Sequence, residues 1–148
     1  MKVAVVGTGE MGLAMAGHML DKGQAVSAFD VNAERLGLAR ERGIAAAASL
    51  KDLAKTADVF ILVVATDEQV IEVSEELGQQ AADGATIVVA ATISVETVRN
   101  LGPRLAARGK RLVDAPVVYG ASGARAGTLL SLCGGAAEDI ERVRPALM

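Results

Sequence analysis

The sequence predicts an α/β protein, a doubly wound and mostly parallel sheet in a single domain, from three observations. Short apolar runs alternate with longer stretches of helical spacing, several of those runs are apolar without interruption, and the first leads straight into a glycine-rich turn. Alternation of this kind is what repeated βα units produce, and uninterrupted apolar strands are expected where helices cover both faces of a sheet. The candidate strands are Lys2–Val6, Ala25–Phe29, a weak one at 44–46, then 59–63, Thr86–Val89 and 111–113. Between them, residues 11–22, 33–42, 67–77 and 95–108 read as helices, followed by a last helix at 136–147. That last segment opens with Glu138, Asp139 and Glu141 and turns basic at Arg142 and Arg144, which suits the helix dipole. It is expected to lead onward, out of the domain.

Composition narrows the class. A chain of 148 residues has room for one domain with a real core, and 51% hydrophobic with 22% charged residues suits a compact fold rather than a disordered tail. A net charge of -3 with no cluster of Lys or Arg leaves no footprint for a polyanion, and 2% aromatic content removes base-stacking platforms, so no nucleic-acid partner is expected. Cys133 is the only cysteine, which rules out an internal disulfide or a multi-Cys metal site and points to a reducing, cytoplasmic setting. No apolar run approaches the roughly 20 residues a spanning helix needs, so no membrane association is expected. Lys2 followed by apolar residues imitates the start of a signal peptide, but Gly7, Gly9, Glu10 and Gly12 interrupt it. A small molecule is the remaining class of partner.

The first segment with chemical content is Val3-Ala4-Val5-Val6-Gly7-Thr8-Gly9-Glu10-Met11-Gly12, a strand running into G-x-G-x-x-G and then a helix. Gly7 permits the tight turn, Gly9 lets backbone approach a pyrophosphate, and Gly12 lets the helix pack closely; the unpaired N–H groups of the helix start then face the phosphates. Strand, loop and helix together predict a Rossmann-type dinucleotide site. Asp30, at the end of the second strand and 18 residues after Gly12, stands where a carboxylate accepts hydrogen bonds from the adenine-ribose hydroxyls and repels the extra phosphate of NADP. NAD is therefore the expected cofactor. The competing reading of Asp30 is a cap for the following helix, a part Asn32 serves equally. Ala65-Thr66 ends the fourth strand and Thr66 with Gln69 has the spacing of a capping box, while also bordering the crevice at the strand carboxyl ends. Thr92 holds the equivalent position after the fifth strand, with Ser94 the better placed cap.

These residues resemble the β-hydroxyacid dehydrogenase family, which includes the 3-hydroxyisobutyrate, tartronate-semialdehyde and 6-phosphogluconate dehydrogenases. The resemblance covers the whole chain and rests on Gly7-Thr8-Gly9-Glu10-Met11-Gly12, Asp30, Thr92-Ile93-Ser94, and Asp114-Ala115-Pro116-Val117 leading to Gly127-Thr128-Leu129. It implies cofactor contacts from Gly7, Thr8, Gly9, Glu10, Met11, Gly12, Asp30, Ala65, Thr66 and Thr92, the last on the nicotinamide side. It also implies a substrate loop after Asp-Ala-Pro-Val, where the family reads Ser-Gly-Gly and this chain reads Val118-Tyr119-Gly120. Only the second glycine is kept; the serine hydroxyl is lost and a phenol takes the place of the first glycine. The family's Ser-Thr before Ile is Ala91-Thr92 here, and its following Pro is Val95.

Oxidising an alcohol by hydride transfer requires a group that takes the hydroxyl proton, typically Lys or His. The turns at the strand carboxyl ends hold Glu10, Thr66, Asp67, Thr92, Asp114, Tyr119, Ser122 and Arg125 but neither residue type. His18 reads as a lone histidine on a helix surface, Tyr119 as the one available phenol, and Asp114 as ordering its own loop. The resemblance implies that the essential lysine lies on a long helix of a second, all-helical domain that also makes the dimer contacts. The expectation is thus that residues 1–148 are the dinucleotide-binding domain, with no catalytic residue and no metal ligand of their own. The expected activity is that of an oxidoreductase acting on a 3-hydroxyacid or its semialdehyde, homo-oligomeric at full length. The alternatives are a stand-alone NAD/NADH-sensing module and an NADPH-dependent reductase of the same superfamily; Asp30 speaks against the latter.

Overall fold

The computed structural model describes residues 1–148. Six strands, β1 (Lys2–Val6), β2 (Ala25–Phe29), β3 (Ala45–Ala46), β4 (Val59–Leu62), β5 (Thr86–Val89) and β6 (Arg111–Asp114), form one sheet in the order β3-β2-β1-β4-β5-β6, every neighbouring pair parallel. The order reverses between β1 and β4, and in open α/β sheets such a switch point opens the crevice in which ligands bind. The helices are α1 (Glu10–Asp21), α2 (Ala33–Glu41), α3 (Leu50–Leu53), α4 (Asp67–Gln80), α5 (Val95–Ala106), α6 (Gly120–Ala126) and α7 (Ala137–Leu147).

Side chains of a strand alternate between its faces, and here both faces are apolar. Val3, Val5, Val59, Ile61 and Val88 pack on one side with Met15, Ala16 and Met19 of α1, Ala39 of α2, Ala124 of α6, and Val143 and Ala146 of α7. Ala4, Val6, Phe60, Leu62, Ile87 and Val89 pack on the other with Leu50 and Leu53 of α3, Val70 and Leu77 of α4, and Leu101 and Leu105 of α5. Two cores separated by one sheet explain why β4 and β5 are buried along their whole length.

The predicted elements are all present, with ends displaced by a few residues. Asp114 extends β6 by one, β4 stops at Leu62, and α4 continues three residues past 77. The sequence pattern did not show α3, α6 or the separate antiparallel pair β7 (Val117–Val118) and β8 (Leu130–Ser131). Each is too short to display a period, and β7–β8 is set by pairing across a helix rather than by its own residues. The last helix departs from expectation in a second way. Instead of leading out of the domain, α7 lies against the sheet: Val143 is fully buried, the carboxamide nitrogen of Gln24 donates to the Pro145 carbonyl at 2.9 Å, and Asp139 sits 2.9 Å from Nε of Arg111 on β6. Its apolar residues Ile140, Val143 and Leu147 recur at helical spacing, and one docked face is the physical consequence.

Because α7 belongs to the packed domain, truncating Val143 must weaken it. Removing two buried methyl groups at about 0.8 kcal/mol each, plus the cavity left behind, sets the expected cost of Val143→Ala at about 1–3 kcal/mol, to be measured as a fall in the urea unfolding free energy. A change within about 0.5 kcal/mol, the range of ordinary surface substitutions, would mean α7 is not docked.

Candidate cofactor site

The chain leaves β1 through a turn with no room for a side chain at Gly7. Gly7 has φ of +94°, its N–H donates to the Phe29 carbonyl at 2.9 Å, and a Cβ built on it would collide with the Val63 carbonyl. A Cβ on Gly12 would collide with the Gly7 carbonyl in turn. At the start of α1, Gly9 holds the cap position in extended conformation without any side-chain cap. The N–H groups of the first turn therefore lack both an intrahelical acceptor and a side-chain substitute. This arrangement suits an anion, whose charge the helix start favours.

Asp30 closes one side of this loop. Its Oδ2 accepts from the Thr8 N–H at 2.6 Å and lies 3.2 Å from the Thr8 hydroxyl, while Oδ1 accepts from the Asn32 N–H at 2.8 Å. Asn32, not Asp30, caps α2, accepting from Glu34 and Arg35 N–H groups. The capping duty that competed for Asp30 is thus discharged by its neighbour. Each carboxylate oxygen has two lone-pair sites, so capacity for ribose hydroxyls remains. Thr8 departs from the cofactor-contact role the resemblance implied: it is 1% exposed and its N–H and hydroxyl are both directed to Asp30, so it orients the carboxylate.

A cleft of about 820 Å3 opens in front of these groups, and its wall brings together Gly7, Gly9, Glu10, Met11, Gly12, Asp30 and Ala65. It also includes Gln69, read from the sequence only as a capping partner of Thr66, and Arg35, Glu72 and Glu76, which the sequence reading passed over. Gln69, Glu72 and Glu76 fall on one face of α4 by their spacing of three and four, a signal available in the sequence; Arg35 gave itself away only as a cation in the first turn after Asn32. With Asp30, Glu72 and Glu76 against one guanidinium, the Asp30 end of the cleft is acidic on balance.

On the far side of the switch point, Thr66 caps α4 by accepting from Gln69 N–H at 3.3 Å. The reciprocal bond differs from a standard capping box, since Oε1 of Gln69 takes the N–H of Ala65 at 2.8 Å and not that of Thr66. Ser94 caps α5, as its spacing suggested. Thr92 is exposed in the β5–α5 loop. Asp67 accepts from the Ser94 N–H and the Thr97 hydroxyl, and these bonds hold its carboxyl below the usual carboxylate range.

The predicted substrate loop lies at the carboxyl end of β6, outside the wall just described. Tyr119 has φ of +80°, the left-handed region where a side chain costs about 1–2 kcal/mol and glycine nothing, and it is 67% exposed. Val118 is exposed on β7, and Gly120, with φ of +59°, opens α6. Arg125 of α6 reaches back to Glu10 of α1, Nη1 to Oε1 at 3.4 Å, joining this loop to the glycine loop. His18 is not on an open surface: half-buried, its imidazole fills the space a Cβ on Gly127 would need, so it spaces α1 from the end of α6. Asp114 orders its loop through its backbone, its N–H and C=O pairing with Gly134 at 2.9 and 2.7 Å, while burial pushes its carboxyl above the usual carboxylate range.

Lys110 lies at the opposite end of the sheet, just before β6, where its buried ammonium donates to Asp83 at 2.9 Å and the Arg108 carbonyl at 2.8 Å. A second hollow of about 450 Å3 lies at that same amino-terminal end, among Met1, Asp58, Asp83, Arg111 and Arg142. Doubly wound sheets bind ligands at the carboxyl ends, so the cleft at the switch point is the candidate. No helix is long and apolar enough to cross a membrane.

Residues 2–148 match the family described as the NAD binding domain of 6-phosphogluconate dehydrogenase. The 3-hydroxyisobutyrate dehydrogenase of Pseudomonas aeruginosa is 36% identical over 98% of this chain and 50% of its own length. Among solved structures, Mycobacterium tuberculosis 3-hydroxyisobutyrate dehydrogenase with L-serine aligns with a TM-score of 0.95 and 30% identity, over 99% of this chain and 50% of that one. Psf3 in complex with NADP+ and 2-OPP aligns with a TM-score of 0.92 and 27% identity, over 98% of this chain and 52% of that one. The chain spans about half the length of the relatives it matches.

Replacing Tyr119 by Gly relieves the left-handed strain without emptying a packed position. Tyr119→Gly is expected to raise the unfolding free energy by about 1 kcal/mol in urea titration, the strain relieved less the extra chain entropy of glycine. A loss of stability would show that the phenol is held by contacts worth more than its strain.

Proposed function

The chain belongs to the family of the NAD binding domain of 6-phosphogluconate dehydrogenase, and on that premise we propose that it binds NAD(H) at the β1–β4 switch point. The observation that carries this reading is Asp30, fixed by Thr8 and Asn32 beside a glycine loop that a Cβ would fill. Gly9 and the first turn of α1 hold the pyrophosphate, Asp30 the adenine ribose, and Ala65, Thr66 and Thr92 border the nicotinamide half. Nicotinamide dinucleotide, when bound, would accept a hydride from the carbinol carbon of a 3-hydroxyacid as the semialdehyde forms, or return it in the reverse direction. Val118, Tyr119 and Gly120 face that substrate, and the phenol of Tyr119 replaces the small residue of the family pattern. The proton acceptor for the hydroxyl comes from outside residues 1–148, because the carboxyl ends of the strands carry no Lys or His. A full-length form acts as a homo-oligomer, in a reducing cytoplasmic compartment in keeping with the single Cys133.

A second cofactor reading has one observation in its favour. The guanidinium of Arg35 stands 3.8 Å from the position a Gly9 Cβ would take, close enough to the adenosine end to meet a 2′-phosphate. The carboxylates of Asp30, Glu72 and Glu76 in the same wall weigh against that anion and favour NAD.

Titration calorimetry decides between the two. NADH is expected to bind about tenfold or more tighter than NADPH, a difference of about 1.4 kcal/mol, and Asp30→Ala is expected to shrink it. Equal affinities in the unaltered protein would refute the preference for NAD, and no binding of either would refute the site.

A further inference from the structure

We propose that Asp67 is a positioning residue for the nicotinamide half of this site, clamping the β5–α5 loop that carries Thr92 against the turn that follows β4. The inference rests on the dinucleotide reading above and adds a residue to it. Oδ2 of Asp67 accepts from the Thr97 hydroxyl at 2.6 Å and from the Ser94 N–H at 3.1 Å, partners 30 and 27 residues away in the chain. The Ser94 hydroxyl donates to the Thr97 hydroxyl at 2.9 Å and itself accepts from the Thr97 N–H at 3.1 Å. The bonds therefore run in one direction, from Thr97 N–H through two hydroxyls to the carboxylate, and the charge at the end polarises each donor before it.

Helix capping does not account for this arrangement. Thr66 already caps α4 and Ser94 already caps α5, each on its own helix. What remains for Asp67 to fix is the placement of one turn relative to the other. Both turns follow the carboxyl ends of adjacent strands, β4 and β5, on the side of the switch point away from Asp30. In a doubly wound sheet that side receives the second mononucleotide of a dinucleotide. Thr92 lies two residues before Ser94, with an exposed side chain and no hydrogen bond of its own to hold the loop. The hydrogen bonds that keep the Asp67 carboxyl ionised act in the same sense, since the charged form is the stronger acceptor.

The test separates the two halves of the ligand. NADH carries both mononucleotides and ADP-ribose lacks the nicotinamide, so their dissociation constants are measured on the unaltered chain, Asp67→Ala, Asp67→Asn and Thr97→Val, with thermal unfolding followed in parallel. Asp67→Ala is expected to weaken NADH about tenfold, within the usual range of coupling between sites, and ADP-ribose by less than about twofold. Thr97→Val is expected to act in the same direction while leaving both helix caps intact, and Asp67→Asn, which keeps an acceptor oxygen, to recover most of the NADH affinity. Equal losses for both ligands, or no loss for NADH in either Asp67→Ala or Thr97→Val, overturn the proposal. If the unaltered chain binds ADP-ribose but gains nothing from the nicotinamide, the clamp has nothing to position and the proposal fails while the adenosine site stands. If the unaltered chain binds neither, the dinucleotide reading fails first.

Discussion

The contact on which the site depends is the approach of α1 to the end of β1, where Gly12 meets the Gly7 carbonyl with no space for a Cβ on either glycine. Close packing forces the helix to begin immediately after the strand, and so aims its first N–H groups at the crevice between β1 and β4. A side chain at Gly7 would push the turn away from Val63 at the end of β4, and one at Gly12 would push α1 away from the end of β1. The buried Met15, Ala16 and Met19, which seal one core, would move with it. One steric constraint thus couples the stability of a core layer to the geometry of the glycine turn.

Polar bonds then fix what the packing brings near. Asp30 sits between two donors that cost it no freedom of function: Thr8, buried and wholly committed to it, and Asn32, which also caps α2. The carboxylate is oriented before any ligand arrives, which lowers the ordering cost of binding. Across the switch point, Asp67 is held in a comparable way by Ser94 and Thr97. The two halves of the crevice share this device, a carboxylate beyond the carboxyl end of a strand tied to a neighbouring turn, Asp30 just after β2 and Asp67 at the start of α4.

The segment after β6 is built differently. The β7–β8 pair and α6 form a small unit laid on α1, with His18 filling the gap beside Gly127 and Arg125 reaching Glu10. The left-handed backbone at Tyr119 shows why a glycine suits that position in the family pattern. Here the chain accepts the strain and presents an exposed phenol instead.

Much of this was written in the chain. Uninterrupted apolar runs such as Val59–Leu62 announced buried parallel strands, because an apolar residue on both faces has no other stable home, and the spacing from Gly7 to Gly12 to Asp30 announced the cleft, because backbone approach and strand-end position are local requirements. Local signals ended where partners are distant in sequence. Only the folded arrangement could show that α7 docks on the sheet, that Thr8 serves Asp30, that Arg35, Glu72 and Glu76 share the cleft, or that Asp67 bonds to Thr97. Periodicity tells which face of an element is apolar or charged. It does not tell what that face meets, and that was decided by the order of the strands and the helices packed across them.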